Sequence, residues 1–338
     1  MATTFNTPLP KTENYIFGRG VGYFAEFDDN GDPMGERDLG NLPGVTLTVT
    51  STDYKHTSSR TGLAKTDLSV TLSVEFSAKL DFEDFSAENL ALFIAGQSGV
   101  VTQSSTPVTG EIIPNGQSGR EYQLGATPNN PSGVRGVSSV AINSAATTTA
   151  ATRANSTAYA VGALLKSSTN LFVVTVAGTS ASSAPSFVTT NIGDTTSDGT
   201  ATLTYIGTTT AYTVTTDYTV SALAGRIAIV PGGAIAKAAA VMPAGFGFDL
   251  SAAYTPTANT RQQIKSSGSG SVSGQFRFIS DNATGNNQDF FIPSCTLSAS
   301  GDLPFISDNA VAKASFDLGV NEKDSSTPQV IIDGRPAT

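Results

Sequence analysis

Between Leu68 and Phe82 apolar and polar residues alternate for 15 positions without a break. Leu68, Val70, Leu72, Val74, Phe76, Ala78, Leu80 and Phe82 hold one parity; Ser69, Thr71, Ser73, Glu75, Ser77, Lys79 and Asp81 hold the other. Side chains of a strand point alternately to opposite faces, so the pattern predicts a strand with one greasy face and one small-polar face. At about 3.3 Å per residue it spans roughly 50 Å, two to three times the usual strand. A strand of that length suits a sheet that continues beyond its own subunit.

Upstream, Val45 to Val49 alternates as well, with Thr46, Thr48 and Thr50 on the polar parity. The two runs read as an antiparallel pair joined by about 16 residues, Ser51 to Thr66. Hairpin loops usually have two to five residues, and long ones are functional or disordered. This one carries Lys55, His56, Arg60 and Lys65 against Asp53, with Tyr54 among them, in a chain of net charge −9. Two readings are open: a solvated flexible tip, or a projecting arm that docks on an acidic patch of a neighbouring copy.

A single short helix follows the long strand. Ser86 caps it, Glu88 sits in its first turn, Leu90, Phe93 and Ile94 form an apolar stripe, and Gly96 ends it. Its expected role is to cover the greasy face of the sheet. Further strands are predicted at 136–142, 212–220, 226–230, 245–254, 271–280, 289–298 and 310–318, separated by Gly, Asn, Ser and Pro turns. The low-complexity run from Asn143 to Ser156 has no apolar face and reads as a linker. Beyond it, residues 156–207 carry their own strands (171–176 and 201–206) and turns. The expected organisation is a discontinuous main domain, 1–142 with 209–338, interrupted at 143–208 by a linker and a small inserted β module. Insertions of this kind are tolerated at exposed turns.

Composition narrows the function. Charged residues make up 14% of the chain, Trp is absent, and Thr and Val suit a pleated surface. The acidic balance argues against gripping nucleic-acid phosphates, which takes clustered Lys and Arg. No apolar run reaches membrane-spanning length, and the polar start MATTFNTPLPKTEN lacks a signal-peptide layout. With one cysteine, Cys295, an intrachain disulfide framework is excluded, and synthesis in a cytoplasm is expected. His56 is the only imidazole, and no GxSxG elbow accompanies it. The paired acids Asp28–Asp29 and Asp81, Glu83 and Asp84 read as solvated carboxylates rather than a glycosidase pair. From Asp28, the sixth and twelfth positions of a calcium loop would be Pro33 and Leu39 instead of Gly and Glu, so a hairpin turn is expected there. Gly18 to Gly22 lacks the Lys-Ser/Thr of a phosphate loop. The Asn-x-Thr sites at Asn155 and Asn282 mean little without secretion. Nothing here points to an enzyme, a cofactor or a metal.

The order of these elements resembles the major tail tube proteins of long-tailed bacteriophages, especially the non-contractile siphophage type. The residues that carry the likeness are GVTLTVTSTDYKHTSSRTGLAKTDLSVTLSVEFSAKL, SAENLALFIAG, and the pair YTVTTDYTVSALAGRIAIVPGG and SGQFRFISDNATGNNQDFFIPSCTLSASGDLPFI. They span both segments of the expected main domain. The resemblance implies a mainly β tail-tube fold, a β-sandwich or barrel. It also implies hexameric rings stacked into a tube, four strands per subunit in a shared inner barrel, and loops and arms that bind adjacent rings. A virion location follows, with the tape measure, terminator and distal tail proteins as partners and DNA passing without specific binding. On that footing Thr46, Thr48, Thr50, Ser69, Thr71, Ser73, Glu75, Ser77, Lys79 and Asp81 line the lumen. Tyr54, Lys55, His56, Arg60 and Lys65 form the inter-ring loop. Carboxylates repel phosphate, which keeps transit non-sticky; Lys79 departs from the acidic trend, with a neighbouring carboxylate as its expected partner.

The insert resembles small Ig-like or carbohydrate-binding β modules of phage tail and fibre proteins. Such modules stack sugar on exposed Trp, whereas this chain offers Tyr159, Phe172, Phe187 and Tyr205. These four are either a possible binding surface or the module's own small core, since so small a domain must bury its aromatics. A β-rich surface adhesin or glycan-binding protein displaying the insert is the alternative to the tail tube.

Overall fold

The computed structural model describes residues 15–335 except positions 61, 267 and 269. The N-terminal MATTFNTPLPKTEN, read above for a signal peptide, lies outside the described residues. The protein is mainly β, without barrel closure. It divides into two compact units, Met1–Val100 with Gln262–Thr338, and Val101–Arg261.

In chain order, β1 (Gly20–Glu26), β2 (Arg37–Asp38), β3 (Gly44–Ser58), β4 (Lys65–Phe82) and helix α1 (Ala87–Phe93) open the first unit. After β5 (Gly96–Gln103) come β6 (Val108–Ile113), β7 (Glu121–Gln123), β8 (Val137–Ser144), α2 (Ala146–Thr149), β9 (Ala151–Thr152) and β10 (Ala158–Tyr159). Then follow β11 (Leu164–Ser167), β12 (Asn170–Val176), β13 (Gly178–Thr179), β14 (Thr195–Asp198), β15 (Ala201–Thr208), β16 (Tyr218–Ser221), β17 (Arg226–Ile229), α3 (Ala234–Ala240) and β18 (Leu250–Pro256). The chain returns through β19 (Asn259–Ser266), paired with β5, to β20 (Ser271–Ser280), β21 (Gln288–Ser300), β22 (Ala314–Val320) and β23 (Ile331–Gly334). Among the described residues, three short helices stand where one was expected. The strand expected over 212–220 shrinks to β16, because Asp217 instead ties Thr213 N (2.8 Å) and Ala234 N (2.7 Å) into a turn.

The first unit is built on one sheet of order β2-β1-β20-β21-β22-β4-β3, with β23 beside β21. The alternating run is longer than its pattern announced, 18 residues, and β3 pairs with it from Gly44↔Asp81 to Ser58↔Lys65. The 16-residue connection is therefore corrected to residues 59–64: Tyr54, Lys55 and His56 lie in β3, and Lys65 opens β4. Cross-strand side chains favour this extension. Thr71 Oγ1 donates to Asp53 at 2.8 Å, and His56 Nδ1 lies 2.6 Å from Asp67 Oδ1.

The greasy parity is buried only at its C-terminal end. Ala78, Leu80 and Phe82 join Phe24, Leu39, Leu92, Phe276, Ile292, Leu297, Phe316 and Leu318 in one core, where Phe82 stacks on Phe316 with ring centroids 4.4 Å apart. Helix α1 covers this core, with Ser86 Oγ accepting from Asn89 N at 3.2 Å as its cap. It turns Asn89, Ala91 and Leu92 inward; of the expected stripe, Phe93 packs half-buried against the same core, its ring centroid 6.1 Å from those of Phe82 and Phe316, while Leu90 is half-buried and Ile94 exposed. Asn89 fixes that rotation: its Nδ2 donates to Leu39 O (2.9 Å) and Asp84 O (2.8 Å), and its Oδ1 accepts from Arg37 Nη1 (2.8 Å). The helix ends one residue early, with Ala95 taking the left-handed conformation (φ 44°) expected of Gly96. Gly96 is needed for another reason, since a Cβ there would collide with the Lys265 carbonyl.

The second unit does not respect the expected boundaries at 142/143 and 208/209. Its five-stranded sheet, order β14-β15-β12-β11-β9, is covered on both faces. Leu171, Val173 and Ile206 join a core that includes Ile142, Leu124, Tyr218 and Leu250, from outside the expected insert. Phe172, Val174, Leu203 and Tyr205 form a second core with Leu165. A sheet buried on both sides makes its flanking segments part of the same unit.

The expected linker is corrected in the same way. Ala145, Ala146 and Ala150 are buried, and α2 lies within it. Arg153 reaches a fully buried Asp198, with Nε to Oδ2 at 2.9 Å and Nη2 to Oδ1 at 2.8 Å. The guanidinium's hydrogen bonds hold the Asp198 carboxyl below its ordinary range, against the opposing effect of burial. Removing one partner of a buried pair strands the other, at a cost of about 3–5 kcal/mol. Asp198→Ala is expected to destabilise the second unit by that order in denaturant titration at pH 7. The folded carboxyl titrates below its unfolded value, so its contribution is complete above the ordinary carboxylate range and is lost as pH falls through the lowered value. The gap between wild type and variant should therefore narrow on acidification, and a gap independent of pH would count against the assignment.

Candidate functional site

The polar parity of β4 belongs to a wider surface. Register places Ser300, Ser315, Asp81 and Gly44 in one row across β21, β22, β4 and β3. The next rows are Ser298, Asp317, Lys79 and Thr46, then Thr296, Gly319, Ser77 and Thr48. The intervening rows, such as Leu297, Leu318, Ala78 and Leu47, face the core. Four strands thus present one continuous face of hydroxyls, glycine and charges. Along it Ser315 Oγ donates to Asp81 Oδ1 at 2.6 Å, and Asn321 Nδ2 to Thr296 Oγ1 at 2.8 Å. Lys79 stands directly between Asp317 and Thr46, so its register neighbours include the expected carboxylate.

Of the residues expected on this face, Thr46, Thr48, Thr50, Ser69, Thr71, Ser73, Glu75, Ser77 and Lys79 are exposed and Asp81 is half-buried. The contributions of Thr296, Ser298, Ser300, Ser315 and Asp317 went unread. Their signal was present in the alternations CTLSAS (295–300) and SFDLG (315–319), each shorter than the run in β4.

Beyond Ser77 the sheet ends but the hairpin does not. The β22 pairing stops at Gly319↔Ser77, and β3 is the terminal strand. Among the described residues, β4 from Lys65 to Phe76 has β3 as its only partner strand, so the ribbon leaves the sheet with an open edge on either side. The apolar parity is uncovered there: Val49, Leu68, Val70, Leu72 and Val74 are 44–66% exposed, as is Tyr54 at 50%. Two shifts of register, at Thr52/Asp53 and His56/Thr57, interrupt the ladder near the tip. Of the expected inter-ring loop, only Arg60 lies in the connection; Tyr54, Lys55, His56 and Lys65 are strand residues of the same arm.

Other candidate chemistry does not assemble around these residues. His56 pairs with Asp67, and no serine or cysteine side chain hydrogen-bonds to its ring among the described residues. Asp28 forms the expected hairpin turn. Its Oδ1 accepts from Asn30 N and Asp32 N, both at 2.9 Å, and these bonds lower its carboxyl pKa. Among the described residues no group of three or more His, Cys, Asp or Glu is placed to hold a metal ion, and no helix is long and apolar enough to cross a membrane. The insert aromatics are a packed cluster rather than a platform: Phe172 lies 4.8 Å from Phe187 and 5.8 Å from Tyr205 between ring centroids, with Tyr159 half-buried beside them.

These features define a mainly β protein with a two-faced sheet and a projecting arm. The chain belongs to the family described as protein of unknown function UCP028589, whose model matches residues 15–184. Comparison with curated proteins finds no match.

Amide hydrogen exchange should report the change in the ribbon directly. In the isolated chain, β4 amides from Ala78 to Phe82 are expected to be protected at the level of the core, and those on the open edge between Lys65 and Phe76 to exchange far faster. Uniform protection along β4 would mean that the ribbon pairs with a further strand.

Proposed function

We propose that this protein is a structural subunit of a bacteriophage tail tube. Its copies associate in hexameric rings that stack into a tube, with the face of β21, β22, β4 and β3 turned to the channel. The observation that carries the reading is the polar four-strand face that runs on into a ribbon open at both edges. Open edges invite pairing with another chain, and closure into a barrel removes them. Six copies with four strands each would enclose a barrel well beyond the size that already leaves an aqueous channel.

Glu75, Asp81 and Asp317 outnumber Lys79 on that face, so DNA meets hydroxyls and net negative charge. The basic side chains Lys55, Arg60 and Lys65 stand on the arm, available to an acidic surface of the next ring. Neighbouring tail proteins (tape measure, terminator and distal tail protein) and a virion location go with this reading, which gives the chain no catalytic role and no cofactor. The adhesin alternative loses ground because Phe172 and Tyr205 are occupied in the packing of their own sheet.

Magnitudes fit assembly that is weak per contact and cooperative in sum. Full burial of a Val or Leu side chain contributes roughly 1.5–3 kcal/mol. The five aliphatic side chains of the arm, already partly covered, would supply about 5 kcal/mol, at the low end of what association costs. Many repeated contacts together are then required, and a single pair of copies does not hold.

Leu72→Ser with Val74→Ser is expected to leave monomer stability within about 0.5 kcal/mol, since both side chains are exposed. The same double variant should form no tubes by negative-stain microscopy; normal tubes would remove the arm from the reading. Glu75→Lys with Asp317→Lys should still assemble but slow DNA release from virions. Unchanged release kinetics would sink the acidic channel. Asp81 is spared in that test because Ser315 depends on it.

A further inference from the structure

The connection between β21 and β22, residues 301–313, is long for a hairpin, and loops of such length are commonly functional. It holds two adjacent large apolar side chains almost wholly in water: Phe305 is 85% exposed and Ile306 89%. Asp302 and Asp308 flank them. The same unit carries a cleft of about 770 Å³ between the start of β1 and the start of β3, with Ile16, Leu42, Pro43, Val45 and Phe278 among its lining residues. Gly18 leaves one wall as bare backbone, where a Cβ would meet nothing within 4 Å. Arg19 also lines the cleft; its guanidinium lies over the Phe17 ring and has no carboxylate partner among the described residues.

We infer that Phe305 and Ile306 of one copy seat in this cleft of a second copy, with Asp302 or Asp308 reaching Arg19. An apolar knob flanked by acids matches a cleft that sets apolar walls beside polar ones, with Arg19 as its cation. A knob and a cleft at different places on one chain make a head-to-tail contact, which closes into a ring or runs on as a filament. Ser300 stands opposite Ser315, Ser315 opposite Asp81, and Asp81 opposite Gly44 at one rim of the cleft. With strands about 4.8 Å apart, the knob loop leaves the sheet roughly 15 Å from that rim. Ser280 and Gln288, on the other rim, lie at the ends of β20 and β21 far from the knob loop. Knob and cleft are therefore separate surfaces, which one copy can offer to two neighbours at once. This contact rests on the assembly reading above and gives it one named interface.

The test uses the full chain with single substitutions Phe305→Cys and Pro43→Cys, under mild oxidation at assembly concentration. Native Cys295 is fully buried and does not compete. Mixing the two single variants should give a disulfide-linked dimer, whereas neither alone should link to itself; the double variant should give a ladder of linked multimers. A single variant that links to itself would show a two-fold contact and overturn the inference. Assemblies visible by microscopy without a linked dimer would overturn this contact and leave the assembly reading standing. Absence of both assemblies and links would overturn the two together. As a second variant, Phe305→Asp with Ile306→Asp should keep the melting temperature within a few degrees and lose tubes; intact tubes would overturn the contact.

Discussion

The backbone ladder between β3 and β4 is the constraint on which the rest of the first unit depends. Its period of two sorts every side chain to one of two faces, and a slip of one residue would exchange them. At the base, that sorting sets Ala78, Leu80 and Phe82 against Phe316, Leu297 and the helix that Asn89 pins in place. On the opposite face it aligns Ser, Thr and charged residues from four strands into rows. Past Ser77 the same ladder continues with no core to support it. What holds the arm in register there is backbone hydrogen bonding and cross-strand bonds such as that from Thr71 to Asp53.

That division explains which parts were legible in the sequence. Alternation marks a strand that has one dry face and one wet face, and the base of β4 was read for this reason. Between Ser51 and Ser58 both faces of β3 are wet, so Thr, Asp, Tyr, Lys and His follow one another without a pattern and read as a loop. β12 and β15 fail in the opposite sense. With both faces dry they read as apolar runs, which show that strands exist but not that one face belongs to a core shared with Ile142 and Leu250. The run from Asn143 to Ser156 misled because alanine methyls bury well while looking neutral in composition, and because Arg153 gives no sign in the sequence that Asp198 waits 45 residues away.

The candidate site was half visible. A 15-residue alternation announces itself, whereas the three-residue polar rows of β21 and β22 gain meaning only through register with β4. Ser298, Asp317 and Lys79 are far apart in the chain and adjacent in the sheet. The knob at Phe305 and Ile306 lay within the sequence that carried the family likeness. Burial alone separates it from Phe290 and Phe316, which belong to the core as a side chain of the same kind would be expected to.

An arm open at both edges raises the question of what stops indiscriminate pairing. A long, flat, apolar edge is an aggregation site, and natural sheets blunt such edges with charges and bulges. Both devices are present. Lys55, Lys65 and Asp67 stand near the tip, and the register shifts at Thr52/Asp53 and His56/Thr57 break its regular twist. An incoming strand must match those irregularities to pair along the full length, which another copy of this chain does more readily than an unrelated one. The bulges therefore do for the arm's edges what the Asp and Arg side chains do for the knob and its cleft. They restrict a generic attraction, a backbone edge in one case and apolar surface in the other, to a partner of matching shape.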